Sequence, residues 1–267
     1  LTVFEIRDSY LTDKIVGFLF YHKRKRRFSA ELPYGLDEWD APAMFMRAAR
    51  EGNYSIGFDL SMKFVRQRIV PAERQNIGMI LKNAGLKYYD EYRLLCLSEG
   101  RCAQDELHLV KTELSELPPD ISERLNKKVR DVVPMEGYSL MVFYKDGLSQ
   151  TVDVKEILES DHIFGNVLKG RSLFMSVSVS PGGNGIEWGE ERVIPAELLR
   201  KSGKELPISY DMLITFSKDR LANTSDAADA LNCSRQYLNS LVKQGILHPV
   251  KGGSNNTVFL RSELETL

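Results

Sequence analysis

The sequence predicts an α+β multidomain protein. Three observations carry that expectation: period-two apolar stretches with hairpin turns alternate with helical spacing, two proline-containing polar interruptions divide the chain, and two short amphipathic helices followed by a polar loop close it. The first interruption is Leu117-Pro118-Pro119-Asp120 with the polar run Ser122 to Arg130. The second runs from Arg200 to Ser209 and contains Gly203 and Pro207. They predict a mixed α+β N-terminal unit over 1–121, a small antiparallel α+β domain over 127–204 and a third unit over 212–267.

Composition narrows the function classes. The 267 residues are 43% hydrophobic and 27% charged, and no apolar run approaches the ~20 residues of a membrane span, so no membrane partner is expected. Leu1 opens directly into the strand-like Thr2-Val3-Phe4-Glu5-Ile6 with no basic leader, which predicts a cytoplasmic location. Cys96, Cys102 and Cys233 lack metal or redox spacing and are expected as reduced thiols. A formal net charge of −1 gives no overall attraction to nucleic acid, so any such affinity must come from a local patch.

In the N-terminal unit, Ile15 to Tyr21 and Phe28 to Leu32 read as strands, with Lys23-Arg24-Lys25-Arg26-Arg27 as the hairpin tip between them. Asp40 is expected to cap a helix carrying Pro42 in its first turn and ending by Gly52, and Pro71 to open another that runs to Gly85. Two further helices are expected around Tyr89 to Ser98 and Ala103 to Glu116.

The middle segment is strand-rich. Tyr138 to Tyr144 leads into Asp146-Gly147, a dipeptide suited to a tight hairpin, and Ser149 to Val154 returns. Leu173 to Val179 alternates with period two, Pro181 to Gly185 makes a turn, and Ile186-Glu187-Trp188 follows, which fits a small antiparallel sheet with one helix. Val129-x-x-Val132/Val133-Pro134, Gly137 to Leu140, Phe143-x-x-Asp146-Gly147, Val152-Asp153-Val154, Gly185-Ile186-x-Trp188 and Ile194 to Leu198 resemble the bacterial domain of unknown function family 2442. Where that family often carries an Asp before its final turn, this chain has Arg192-Val193-Ile194. The resemblance implies an α+β fold, sometimes encoded near toxin–antitoxin-like pairs, with no established chemistry.

From Asn223 the spacing describes two helices. Thr224 or Ser225 can cap a helix over Asp226 to Leu231 with Ala227, Ala228 and Leu231 on one face, Asn232-Cys233 turns the chain, and Ser234 caps the second. There Leu238, Leu241 and Val242 must pack inward, leaving Arg235, Gln236, Asn239, Ser240 and Lys243 outward. Arg matches guanine bidentately and Gln or Asn matches adenine, while Ser234, Lys243 and the helix N-terminus suit phosphate. Gly245 ends the helix, and Ile246-Leu247 with Val258-Phe259-Leu260 is expected as a two-stranded wing around a loop carrying Lys251, Asn255 and Asn256. Ser225-x-Ala227-Ala228-x-x-Leu231-x-x-Ser234-Arg235-x-x-Leu238-x-x-Leu241-Val242-x-x-Gly245-x-Leu247, followed by Arg261-Ser262-Glu263-Leu264, resembles the excisionase and MerR-like winged helix-turn-helix. From Phe216 onward six cations face five carboxylates, a net of +1, and three of those acids precede the second helix.

Two other signals compete for a role. Lys23 to Arg27, flanked by Tyr21 and Phe28, form a second candidate nucleic-acid patch, which Arg66, Arg68 and Arg74 could widen unless they are helix-surface charges. His22, Glu31, Asp37, Glu38, Asp40, Asp59 and Lys63 supply the groups of a metal-dependent nuclease, but their spacing fits no motif, and the four histidines are scattered. The expected protein is therefore not an enzyme and has no catalytic residues, metal or cofactor. It is expected to be a sequence-specific DNA-binding transcriptional regulator of bacterial or mobile-element type, acting on double-stranded DNA as a homodimer, since one small reading head seldom buries enough DNA. The alternative is an antitoxin-like or phage-defence-related module that binds a protein partner, with DNA binding secondary.

Overall fold

The computed structural model describes residues 1–189, 192–253 and 257–265. The fold is mixed α+β with antiparallel sheets, in two compact units, Leu1–Glu205 and Leu206–Leu267.

The first unit opens with β1 (Thr2–Asp8), β2 (Lys14–His22) and β3 (Arg27–Glu31), joined as antiparallel neighbours. Alternate residues of β2 enter two different cores. Leu19 and Tyr21 join Phe4, Phe28 and Ala30 on one face, whereas Phe18 and Phe20 join Val3, Leu117 and Ile121 on the other. Burial on both faces explains the unbroken apolar run. The helix expected after Asp40 is shorter than predicted: a single 3-10 turn over Ala43–Phe45 precedes α1 (Met46–Arg50), with Pro42 rather than Asp40 at the cap. Asp40 is instead paired with Lys14 at 2.7 Å.

After β4 (Ser55–Ile56), α2 (Phe58–Arg66) is a helix without a cap or proline signal. It forms because Met62, Phe64 and Val65 pack on the sheet. Pro71 does not open the next helix; α3 spans only Ile77–Asn83. Asp90 caps α4 (Glu91–Ser98) by accepting from the Arg93 amide at 3.0 Å. The helix expected over Ala103 to Glu116 is instead mostly β5 (Leu107–Thr112), followed by a 3-10 turn over Leu114–Glu116. Leu107 and Leu109 are buried on one face while β5 pairs with β1, completing the sheet order β4-β3-β2-β1-β5. The edge that β1 would otherwise leave open outweighs the local helical preference.

The expected boundary at Pro118-Pro119 begins α5 (Pro119–Asn126), whose Ile121 is fully buried in the core shared with β1 and β2. Beyond it, β6 (Val129–Pro134), β7 (Ser139–Tyr144) and β8 (Ser149–Asp153) form an antiparallel meander. Three helices follow where one was expected: α6 (Lys155–Ser160), α7 (Gly165–Lys169) and α8 (Arg171–Met175). The strand expected over Leu173 to Val179 is therefore reduced to β9 (Ser178–Val179). Its alternation misled because α8 turns the Phe174 carbonyl toward the Trp188 indole, which donates to it at 2.9 Å inside the second large core. β10 (Gly185–Glu187) lies between β9 and β11 (Val193–Pro195), and α9 (Ala196–Ser202) leads to β12 (Lys204–Glu205) on the edge of the meander. Gly183, at φ +80°, lies so close to β6 that a Cβ there would strike the Val129 carbonyl.

The second unit contains α10 (Tyr210–Arg220), β13 (Leu221–Asn223), α11 (Thr224–Ala230), α12 (Arg235–Lys243), β14 (Val258–Leu260) and α13 (Arg261–Leu264). Its core is small: Ala222, Ala227, Leu238, Leu247, Phe259 and Leu264 are buried together. Ile246-Leu247 is not a strand. β14 pairs antiparallel with β13, and Leu247 instead sends its side chain into the core. Among the described residues no helix is long and apolar enough to cross a membrane.

Candidate nucleic-acid interface

The second unit positions α12 through three local devices. Asn223, rather than Thr224 or Ser225, caps α11: its side-chain oxygen accepts from the amides of Ser225 at 2.8 Å and Asp226 at 3.0 Å. Asn232 then adopts a left-handed φ of 48°, which small polar residues tolerate, and lets the Cys233 amide donate back to the Ala228 carbonyl at 3.0 Å. Ser234 caps α12 by accepting from the Tyr237 amide at 3.2 Å. At the far end Gly245, at φ 70°, closes the helix while the Ile246 amide reaches the Leu241 carbonyl at 3.0 Å.

These devices fix which side chains face outward. Leu238 is fully buried and Leu241 and Val242 pack beside it. Gln236, Asn239 and Lys243 lie on the opposite face, exposed and with no hydrogen-bond partner among the described residues. Ser240 is half-buried and donates to the Tyr237 carbonyl at 2.7 Å, so its hydroxyl is partly engaged by its own helix. Arg235 sits at the edge of the face, exposed but donating to the Ser225 hydroxyl on α11 at 3.0 Å. Tyr237, 57% exposed, forms the other edge and is a residue that sequence reasoning missed. Its signal was an aromatic flanked by polar residues on an amphipathic helix.

The loop beyond α12 is held at its base by an isolated bridge. The Val258 amide donates to the Lys251 carbonyl at 2.9 Å, and the Val250 amide to the Val258 carbonyl at 2.9 Å. Lys251 is exposed; Asn255 and Asn256 lie outside the described residues. The His248 amide and ring nitrogen Nδ1 both meet Glu263 at 2.9 Å, tying the start of the loop to α13.

The basic run of the first unit is arranged differently. Lys23, Arg24 and Arg26 are exposed in the hairpin turn. Lys25 donates to the Val179 carbonyl and lies 3.2 Å from the buried Glu187, while Arg27 approaches Glu187 at 3.7 Å and lies over the Phe58 ring. Of the neighbouring arginines, Arg66 pairs with Glu91 at 2.9 Å. Arg68 is not a surface charge: it is buried, stacks on Phe64 at 3.7 Å and pairs with Asp105, and burial lowers its pKa.

The acids weighed as nuclease ligands are dispersed. Glu31, 2% exposed, accepts from Arg124 at 3.0 Å, Lys128 at 2.8 Å and the Ser55 hydroxyl at 2.9 Å. Glu38 pairs with Arg50, and Asp37 and Asp59 are exposed in a turn and at the start of α2. Among the described residues no group of three or more His, Cys, Asp or Glu could hold a metal ion. No family model matches the chain, and no match to it is found among curated proteins or solved structures.

Proposed function

We propose that the second unit is a winged helix-turn-helix and that the protein is a sequence-specific DNA-binding regulator. α11, the left-handed turn at Asn232 and α12 serve as the helix pair, and Lys251 leads the wing. The observation that carries the reading is the outer face of α12, where Gln236, Asn239 and Lys243 are exposed with no partner among the described residues while the inner face is committed to the core. Gln236 and Asn239 offer an amide oxygen and N–H that complement the N6–H donor and N7 acceptor of adenine in the major groove, Arg235 suits guanine, and Lys243 and Ser234 hold phosphate. The resemblance of Ser225 to Leu247 to excisionase and MerR-like modules supports the same assignment.

A homodimer completes it, because one α12 is a small reading head. Met212 and Phe216, an exposed apolar i, i+4 pair on one face of α10, are the surface offered to a second copy. The reading assigns no catalysis and no cofactor.

Selection from a random duplex library at ~50 mM and ~200 mM salt tests the proposal. The wild-type chain should enrich a motif that Arg235→Ala/Gln236→Ala loses. Absence of enrichment and of any binding at low salt would sink it. One observation favours the antitoxin-like alternative: Trp39 is 75% exposed, five residues from the exposed Tyr34, and large exposed aromatics suit a protein partner. A co-purifying protein lost on Trp39→Ser would support that second reading.

A further inference from the structure

A groove in the first unit, independent of the second, combines an apolar wall with a cationic, donor-rich end. Its volume is about 300 Å³, at the lower end of the range for small-molecule sites. Phe20, Leu117 and Leu125 line one part, and His22, Lys145 and Asn184 line the other. No lining residue is a carboxylate. The adjoining cavity, reached past the same Asn184, differs in that Asp59 and Glu187 line it.

The polar end has donor capacity to spare. The Asn184 side-chain nitrogen is buried and makes no hydrogen bond. Lys145 spends one ammonium N–H on the Gly182 carbonyl at 3.3 Å, and His22 Nε2 is 2.9 Å from the Ser29 hydroxyl. A buried amide N–H without a partner costs on the order of 1–3 kcal/mol, and the exposed Lys145 ammonium keeps N–H groups for a further acceptor beside the one given to Gly182. An anionic head group would satisfy both. Burial, with Lys145 and Lys25 nearby, pushes the His22 pKa down to about 4, as expected of an imidazole surrounded by positive charge.

We propose that this groove binds a small organic carboxylate with an apolar body, its carboxylate received by Asn184 and Lys145 and its hydrocarbon part lying on Phe20, Leu117 and Leu125. Inorganic phosphate would match the head but not the wall. A primary amine would match the wall but be repelled by the head.

Calorimetric titration of the full chain with isocaproate, its matching alcohol, its matching amine and inorganic phosphate tests this, with His22 ring resonances followed in parallel. Isocaproate should bind, shift His22, and exceed each of the other three by at least about tenfold, the weight of a hydrogen bond to a charged group. Lys145→Met, an exposed position that tolerates substitution, should weaken isocaproate by about tenfold, and Asn184→Leu should do the same if the variant folds. The assignment is overturned if isocaproate gives neither heat nor a His22 shift, if the alcohol or phosphate binds as tightly, or if Lys145→Met leaves the affinity unchanged.

Discussion

In the first unit the cations Lys25, Arg68, Arg124 and Lys128 each close on a carboxylate of the same unit, and the partners Glu31 and Glu187 are themselves buried. On α12 of the second unit Lys243, Gln236 and Asn239 make no such closure among the described residues. The two regions are similarly rich in polar side chains on paper, but one spends them on its own architecture while the other leaves them outward. The difference teaches that clustering of basic residues in a sequence is a weak pointer to a binding surface, since Lys25 and Arg27 of the run Lys23 to Arg27 turn back onto Glu187 of the same unit. Helical register, by contrast, places Leu238 in the core and Gln236, Asn239 and Lys243 on the solvent face of α12.

The sharpest way to break this contrast is to remove Glu31. Glu31→Gln leaves Arg124 and the buried Lys128 facing a neutral amide, and breaking a buried pair from one side costs about 3–5 kcal/mol. Urea unfolding should show a loss of that size. Lys128→Met combined with Glu31→Gln should recover part of it, because the unpaired ammonium is then gone. A loss below about 1 kcal/mol would mean that water reaches the cluster and that the charges are not architectural.

For the second unit the large effect is apolar. Leu238→Ala opens a cavity in a core that has few other members, at about 2–4 kcal/mol. A unit this small has little stability to spare, so amide protection measured by hydrogen exchange should collapse across 206–265 while the first unit keeps its own. Protection unchanged in α11 and α12 would show that Leu238 is not the centre of that core.

How much of this could be read beforehand follows from the range of the forces involved. The α12 register was legible because capping by Ser234, apolar spacing at Leu238, Leu241 and Val242, and the stop at Gly245 are all local. β2 and β3 were legible for the same reason. β5 was not, because residues 107–112 become a strand only when the distant β1 offers its edge. Ile246-Leu247 reads as the strand partner of Val258 to Leu260 because it is the nearer apolar pair in sequence, but β13, on the other side of both helices, is the partner in space. At the site, Arg235 was placed outward correctly in register, yet its hydrogen bond to Ser225 depends on the angle between two helices, which spacing does not contain. The buried roles of Glu31 and Arg68 were hidden likewise, since their partners Arg124 and Asp105 lie far along the chain.

His22 offers a pH-dependent version of the comparison. Its pKa in the folded chain is about 4, against 6.5 for an ordinary imidazole, so the unfolded chain takes up a proton first as pH falls. The contribution of this residue should be unaffected above about pH 6.5 and decline progressively between there and about pH 4, by on the order of 3 kcal/mol. His22→Gln should flatten that part of the profile in thermal unfolding of the first unit. An unchanged slope would place the acid sensitivity elsewhere.

The smallest stability effect separates the two basic clusters most directly. Lys23, Arg24 and Arg26 are exposed on the hairpin tip, so Lys23→Ser/Arg24→Ser/Arg26→Ser should change stability by no more than ~0.5 kcal/mol. Lys243 is equally exposed and equally dispensable to folding, but in the proposed complex it contacts phosphate. Lys243→Ala should therefore lower the slope of log affinity against log salt by about one, with stability again unchanged. The triple variant should leave that slope as it was. If instead the triple variant lowers the slope by several counterions and Lys243→Ala does nothing, then the hairpin tip holds the nucleic acid and the outward face of α12 does not.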